Sequence, residues 1–228
     1  MKNKLTYLLT SIIFLLIGMG VFLNVQQQLA VDESKLPEKL EDHNLFQRWI
    51  TNLKNNEVDV GADDFRLIEE AEIYNTMWVT VKSFDEEGVE EWYEEELLAH
   101  QNLDKVVFSP SEQEFIDFRS IFRSEYKVNE VRFFGKKEDK VVDSKAVDCS
   151  IRANCYFDRA YFLDNDVFVV TEISRNIHKH DDTAELCPLD EICTYTVKLH
   201  LIDLIQNKRL VYESGTFEVI IEKLIPEL

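Results

Sequence analysis

The sequence predicts a mainly β protein of antiparallel meander sheets, with a short N-terminal helix that follows a transmembrane helix. Three observations predict this class. Apolar and polar residues alternate over many short segments between 71 and 221, turn-forming residues separate those segments, and one long apolar run lies near the N-terminus. With 228 residues the chain can form one modest domain, and we expect its sheets to stack as an open arc or a sandwich.

The apolar run Leu5–Val25 predicts a single membrane-spanning helix, because a helix of that length spans about 30 Å. Lys2 and Lys4 precede the run and acidic residues follow it, which predicts a cytoplasmic N-terminus and an extracytoplasmic C-terminal domain. The alternative is a cleaved signal peptide, whose apolar region is usually shorter and ends at a small-residue site. The small-residue sites here match poorly, and both interpretations place the rest of the chain outside the cytoplasm.

Three parts of the chain follow from this pattern. Residues 1–30 hold the signal-anchor, and the charged residues 31–43, which contain Pro37, predict an acidic stalk. Residues 44–228 then form the exported, acidic, β-rich domain. The membrane is thus a predicted partner through Leu5–Val25.

Two segments of the exported domain predict helices. Residues 44–55 carry their apolar side chains at the spacing of one helical face. Residues 89–99 are rich in Glu and hold no β-branched residue after Val89, which favours a helix over the alternative of a strand. We expect the first helix to cover the core of the domain.

The remaining segments predict strands, beginning with one strand at 71–82. A weak internal repeat follows, with a first copy at 106–147 and a second at 156–214. Each copy contains four strand-like segments joined by turns, and a last strand is expected at 217–221. Each copy therefore predicts a four-stranded antiparallel meander.

Short motifs at the turns extend this pattern. Phe108–Pro110 stands at one turn of the first copy, and Ile202–Leu204 followed by Asn207–Lys208 stands at a turn of the second. With these motifs, 106–214 resembles the blades of WD-repeat and TolB-like β-propellers, which implies two blade-like sheets. The turn glycines and the W-D signature of those families are missing, and two copies cannot close a ring. Propellers include enzymes and binding modules, so the resemblance selects no function.

The four cysteines form two C-x5-C pairs, Cys149 with Cys155 and Cys187 with Cys193. Four cysteines allow three disulfide connectivities, of which adjacent pairing is the simplest because each bond closes its own loop. An exported chain favours disulfides. The alternatives are a structural zinc site, for which the spacing is unusual, and buried free thiols.

The loop 175–193 holds the sharpest local cluster of metal-ligand side chains. His178, His180 and Asp182 offer imidazole and carboxylate groups to a divalent metal. The alternative is a solvated polar loop, because the sequence supplies no further ligand at a suitable spacing. We predict no other cofactor.

Composition and motifs restrict the function further. The formal net charge of −19 repels phosphate backbones, which argues against nucleic-acid binding. No hydrolase motif such as G-x-S-x-G or H-E-x-x-H is present, and no nucleotide-binding glycine motif occurs. We expect a membrane-anchored extracytoplasmic domain that acts as a non-enzymatic interaction or scaffold module with a protein partner. The alternative is an exported metal-dependent ligand binder or hydrolase that uses the loop 175–193.

Overall fold

The computed structural model of the chain describes residues 34–74, 78–123, 126–150, 152–175, 186–226 and 228, with only the backbone of 122, 123, 126 and 127. Apart from Ser34, these residues belong to one compact unit, Lys35–Leu228. None of the helices in these ranges is long and apolar enough to cross a membrane. The predicted span Leu5–Val25 lies outside the described residues.

Four short α-helices and one 3-10 turn accompany the sheets in the described part of the chain. They are α1 (Glu38–Glu41), α2 (Asn44–Asn55), the 3-10 turn Ala62–Asp64, α3 (Val89–His100) and α4 (Ile221–Leu224). The helices predicted at 44–55 and 89–99 are confirmed as α2 and α3. The His43 side chain caps α2 by accepting a hydrogen bond from the Leu45 amide at 3.3 Å, which satisfies one of the free donors of the first turn.

The strands form two antiparallel sheets of six strands each. Sheet 1 contains β1 (Arg66–Glu72), β8 (Cys155–Phe162), β9 (Val167–Ser174), β10 (Ile192–Asp203), β11 (Lys208–Glu213) and β12 (Phe217–Ile220). Sheet 2 contains β2 (Val79–Ser83), β3 (Val106–Phe108), β4 (Glu114–Asp117), β5 (Ser120–Arg123), β6 (Tyr126–Lys137) and β7 (Lys140–Asp148). The chain is therefore mainly β, as predicted.

Each predicted copy forms a meander within its own sheet. Sheet 1 has the strand order β1-β11-β10-β9-β8, and β12 pairs with the first residues of β10. Sheet 2 has the order β2-β7-β6-β4-β3, and β5 pairs with the first residues of β6. The two sheets thus share one plan, in which an earlier strand is added beside the last strand of the meander.

The prediction of a single strand at 71–82 is wrong. β1 ends at Glu72 and pairs with β11, whereas β2 begins at Val79 and pairs with β7 in the other sheet. Ile73 and Val79 both pack on the core between the sheets, so the apolar pattern continues although the chain changes sheets. Alternation reports which face a residue occupies and carries no information about the pairing partner.

The two sheets stack face to face and enclose an apolar layer. Phe162, Phe168 and Ile202 of sheet 1 belong to the same buried cluster as Ile116 and Phe133 of sheet 2. The Phe133 and Phe168 rings are stacked, with their centroids 5.7 Å apart. The described part of the chain is therefore a sandwich, one of the two arrangements expected from the sequence.

Helices cover the outer face of each sheet. On sheet 1, Trp49 and the neighbouring apolar residues of α2 pack in one buried cluster with Tyr195 and Leu199. Leu36 and Leu40, from the segment predicted as a stalk, are buried in the same cluster. On sheet 2, α3 supplies the second helical layer, in which its buried residues pack against β4, β6 and β7. The order of layers is helix, sheet, sheet, helix.

An ionic cluster joins the two sheets at one end of the apolar layer. The Lys137 ammonium group of sheet 2 donates to a Glu114 carboxylate oxygen at 2.6 Å and also pairs with Asp166 in the β8–β9 turn of sheet 1. Burial raises the pKa of the Glu114 carboxyl to about 7, although Lys137 opposes this shift. A Cβ at Gly135, directly across from Glu114, would collide with the Glu114 side chain, so the small residue makes room for the cluster.

Both disulfides connect adjacent cysteines, as the spacing predicts. Cys149 is bonded to Cys155, and Cys187 to Cys193. The first pair belongs to the buried cluster between the sheets. Each bond therefore closes its own short loop.

Candidate binding cleft

A cleft of about 520 Å³ opens between the two sheets. One wall comes from β1, β11, β10 and β9 of sheet 1, and the other from β7 and Trp78 of sheet 2. Strand register shifts on both walls, between Leu67 and Glu69 in β1 and opposite Ala146 where β7 pairs with β6. Such bulges bend strands and redirect side chains, which accounts for an opening at this place.

The inner face of sheet 1 changes from apolar to polar along its strands. On β9, Phe168 is followed on the same face by Glu172, and on β10, Ile202 is preceded on the same face by His200 and Lys198. We name Phe162, Phe168 and Ile202 the apolar half of this face. Glu172, Lys198 and His200 form its polar half, and they line the cleft.

Glu172 is the charged centre of the polar half and has 0% exposure. The Arg152 guanidinium donates to both of its carboxylate oxygens, at 2.8 and 2.6 Å, and the Ser174 hydroxyl donates at 2.7 Å. His200 Nε2 lies 3.1 Å from the same carboxylate. Burial alone would raise the pKa of Glu172, but the hydrogen bonds and charges of His200 and Arg152 outweigh it and hold this pKa well below its usual range.

Arg152 reaches Glu172 from inside the loop that the Cys149–Cys155 disulfide closes. Its Nη2 also lies 3.2 Å from Cys149 Sγ, so the loop and the guanidinium pack together. The two sulfur atoms lie close to the Glu172 carboxylate, in a grouping that could otherwise suggest a metal. Because both sulfurs are in a disulfide, they are not thiolates, and this grouping does not fit a zinc site.

Three nitrogen groups of the cleft have no partner among the described residues. His200 is 5% exposed, and its Nδ1 has no hydrogen bond within the described ranges. The Nε of Arg209 is likewise buried without an acceptor in the described part of the chain. Lys198 is half-buried, and no described carboxylate forms an ion pair with its ammonium group. Buried polar groups normally find partners, so His200 Nδ1 and Arg209 Nε call for an explanation.

Most carboxylates on the cleft walls form ion pairs with basic side chains. Asp148 accepts from the Lys145 ammonium group at 2.7 Å, and Glu69 accepts from Arg209 Nη2 at 2.7 Å. Burial would raise the pKa of Asp148, but Lys145 and the Ser150 amide lower it overall. With these pairs formed, Lys198 and the exposed Glu72 are the two lining charges without an ion pair among the described residues.

An aromatic side chain borders the mouth of the cleft. Trp78 is 38% exposed and lines the opening. The Lys145 ammonium group lies 4.2 Å from the centre of its ring, a cation–π contact that holds the indole in place. Trp78 is therefore positioned to pack against the body of a bound molecule.

Only some of the predicted site residues lie in the described part of the chain. The predicted metal ligands His178, His180 and Asp182 lie outside the described residues, so a metal at these positions stays a prediction. Of the predicted disulfides, Cys149–Cys155 borders the cleft, and Cys187–Cys193 closes the loop that leads into β10.

Sequence reasoning missed the residues of the polar half. Glu172 is the one charged residue in the apolar strand 167–174, and His200 interrupts the apolar run of β10. A lone ionisable residue in a buried strand requires a partner, and this signal could have pointed to them. Arg152 had no such signal, because its loop position gives no indication of where the guanidinium reaches.

The arrangement suits recognition of a negatively charged or hydrogen-bond-accepting group. Lys198 offers a donor on the half-buried wall, whereas His200 Nδ1 and Arg209 Nε are themselves buried. Comparison with known proteins adds nothing to this geometry, since no protein-family model, no curated protein and no solved structure matches the chain.

Proposed function

We propose that this chain is a membrane-tethered extracytoplasmic binding module that takes its ligand into the cleft between the two sheets. Leu5–Val25 is the proposed tether, with the N-terminus in the cytoplasm. The observation that carries the proposal is the cleft itself, whose wall holds the half-buried Lys198 without an ion pair among the described residues. A ligand that enters the cleft would supply a partner for this ammonium group.

Two further features support the proposed compartment and role. The two disulfides favour an oxidising environment, as found outside the cytoplasm. The sequence lacks hydrolase motifs, which favours binding over catalysis. The protein partner expected from the sequence stays a prediction.

Binding in the cleft is tested with the full-length chain in detergent. A chemically diverse set of small molecules is screened for an increase in the melting temperature, in parallel with Ala71→Phe, which fills the cleft, and Ala99→Phe, a matched change at an exposed position of α3. A ligand should stabilise the wild type and Ala99→Phe but not Ala71→Phe. Equal stabilisation of all three by every hit would place binding elsewhere and refute the proposal.

The compartment is tested by the thiol state and membrane partition of the full-length chain. Alkylation before and after reduction, with intact mass, should detect two disulfides and an uncleaved Leu5–Val25 in the membrane fraction. Four free thiols in chain isolated from cells under acid quenching would contradict the extracytoplasmic assignment.

A second candidate is acid–base catalysis in the same cleft. The buried Glu172 carboxylate orients the imidazole of His200, a residue that lines the cleft, and a carboxylate–histidine pair of this kind is used by general bases. Any ligand found in the screen is recovered after incubation and its mass compared with a sample kept with His200→Gln. An altered mass in the wild-type sample alone favours the catalytic candidate.

The metal-dependent alternative concerns His178, His180 and Asp182. Its check is the metal content of the purified full-length chain and of a variant with both histidines changed to Ala. Equal metal content in the two samples would eliminate this site.

A further inference from the structure

We propose that the open edge of β2 is a homodimer interface, where a second copy of this chain adds its own β2 antiparallel as the next strand of sheet 2. The interface goes beyond the proposed function, since the cleft is lined by Trp78, which directly precedes β2, but by no residue of β2. An open strand edge presents unpaired backbone amides and carbonyls. Proteins normally protect such edges by charge, bulges, short length or a covering element.

Three of the four strands that end the sheet paths are protected in this way. β1 carries three glutamates in seven residues and a register shift. β8 also has a register shift, and it lies beside β3 of the other sheet. β3 is only three residues long. Each of these features discourages the pairing of a further strand.

The fourth strand, β2, lacks these features. Its residues Val79–Ser83 pair with β7 in unbroken register, and no other described strand pairs with them. Val81 is 51% exposed and Thr80 is exposed, and β-branched residues of this kind favour strand pairing. The one charged residue, Lys82, has its ammonium group 4.2 Å from the centre of the Trp92 ring of α3. Its charge is therefore directed to that helix and does not guard the edge.

The charge of the chain determines which edge strand a second copy can approach. The formal net charge is −19, so two copies repel each other in general. Pairing β1 with an identical strand would place three glutamates beside three others, whereas β2 contains no acidic residue. Of β1 and β2, only β2 can therefore pair with its own copy without bringing carboxylates together.

The sequence of β2 is self-complementary about Val81. An antiparallel pair centred on this residue places each Val81 side chain opposite its counterpart, on the same face of the extended sheet. Thr80 then lies opposite Lys82 of the partner, so no like charges are opposed. The two exposed valine side chains cover each other, and the two-fold axis between them closes the assembly at two copies.

The proposed membrane tether favours the same occupant, and this step alone rests on the proposed function. Chains anchored through Leu5–Val25 share one membrane plane, which raises their concentration relative to each other. A second copy also needs no further component, so the dimer should form in the purified chain. A foreign strand would leave the purified chain monomeric.

Cysteine cross-linking tests the register. Directly opposed residues of an antiparallel pair have Cα atoms about 4.5–5.5 Å apart, a distance that a disulfide can span. Val81→Cys in the full-length chain in detergent should therefore form a covalent dimer under mild oxidation, detected as a doubled mass without reductant. Leu98→Cys, at a 70% exposed position of α3, is the matched control and should remain monomeric. The four native cysteines are in disulfides and do not compete.

Charge substitutions test the interface without a cross-link. Sedimentation of the full-length chain in detergent measures the dissociation constant of the dimer. Val81→Glu opposes two carboxylates at the two-fold axis, so this constant should rise at least about tenfold. Leu98→Glu should leave it unchanged. Thr80→Lys places a like charge opposite Lys82 of the partner, and it serves as the test if Val81→Glu does not fold.

Salt dependence gives an independent readout. Because the two copies carry charge of the same sign, an increase in NaCl from about 0.05 M to about 0.5 M should tighten the dimer of the wild type. An interface held by opposite charges would weaken over the same range. Weakening by salt would therefore contradict pairing through β2.

The outcomes separate this interface from other contacts and from the cleft. Loss of the dimer in Val81→Glu or Thr80→Lys, together with cross-linking of Val81→Cys alone, would support it. A wild type that stays monomeric would overturn it, and so would a dimer that the folded variants leave unchanged, because association would then occur elsewhere. The cleft-filling screen with Ala71→Phe tests the proposed function independently of either result.

Discussion

Two buried glutamates occupy opposite ends of the layer between the sheets, and their environments differ. Glu172 faces a guanidinium fork, an imidazole and a hydroxyl, which together hold its pKa well below the usual range. Glu114 faces one ammonium group that it shares with Asp166, and burial raises its pKa to about 7. Both side chains are almost fully buried, so the difference lies in their partners.

The two glutamates differ in what their clusters connect. The Glu114 cluster connects the sheets through Lys137, with the lysine shared by a carboxylate on each. Glu172 lies within one sheet, where it orients His200, and both residues line an open cleft. Buried charge is expensive in both places, and only at Glu172 does it lie beside this cleft.

The largest expected effect comes from Glu172→Gln. The variant leaves Arg152 and His200 facing an uncharged side chain in a buried site, so the free energy of unfolding should fall by about 3–5 kcal/mol. Urea unfolding of the full-length chain at neutral pH measures it, with the exposed Glu191→Gln as the matched control. A loss below about 1 kcal/mol would show that the cluster contributes little to folding.

The same variant has a characteristic dependence on pH. Because folding lowers the pKa of Glu172, its stabilisation is complete above the ordinary value of 4.5 and is lost as the pH falls toward the folded-state pKa. The wild type should therefore lose stability in acid more steeply than Glu172→Gln. If the stability of the two proteins fell equally as the pH decreased, the lowered pKa assigned to Glu172 would be contradicted.

Glu114→Gln should show the opposite dependence, with a somewhat smaller effect. Folding raises this pKa, so the contribution is fully favourable below 4.5 and is lost as the pH rises through about 7. The wild type should lose about 3 kcal/mol of stability relative to the variant over this interval. Unfolding measured across this pH range, with the exposed Glu112→Gln as control, checks the prediction. An unchanged pH slope in Glu114→Gln would assign the titration to another group.

Gly135→Ala tests whether the Glu114 cluster requires the absence of a side chain at position 135. The added methyl group would collide with the Glu114 side chain, so we expect a loss of about 1–3 kcal/mol, measured by thermal or urea unfolding. Gly215→Ala is the control, because nothing lies within 4 Å of a methyl group built there. Similar losses at both positions would indicate a backbone effect in place of a collision.

The smallest effect on stability is expected from Lys198→Met. The ammonium group forms no ion pair among the described residues, so its removal should cost about 0.5 kcal/mol or less. Thermal unfolding of the full-length chain measures this loss, with the exposed Lys54→Met as control. A destabilisation above about 2 kcal/mol would mean that Lys198 helps to compensate the buried charge of Glu172. The difference between the Glu172 and Glu114 environments would then be smaller.

Much of the fold could be predicted because alternation and helical spacing are local properties. The segments 106–147 and 156–214 became meanders, and the apolar face of 44–55 became a helix on sheet 1. The site could not be predicted in the same way. Arg152 and Glu172 are 20 residues apart, on a loop and a strand, and the sequence contains many acid–base pairs at such separations.

The sequence by itself indicated most of the strand and helix segments, favoured the adjacent disulfides and determined the strong negative charge, because each depends on residue type and short spacing. The tertiary structure alone decided that β1 and β2 belong to different sheets and that Arg152, Glu172 and His200 meet beside a cleft. The physical reason is that a strand's period assigns each side chain to a face, whereas the stacking of the two sheets decides whether that face meets apolar groups, charged groups or open space.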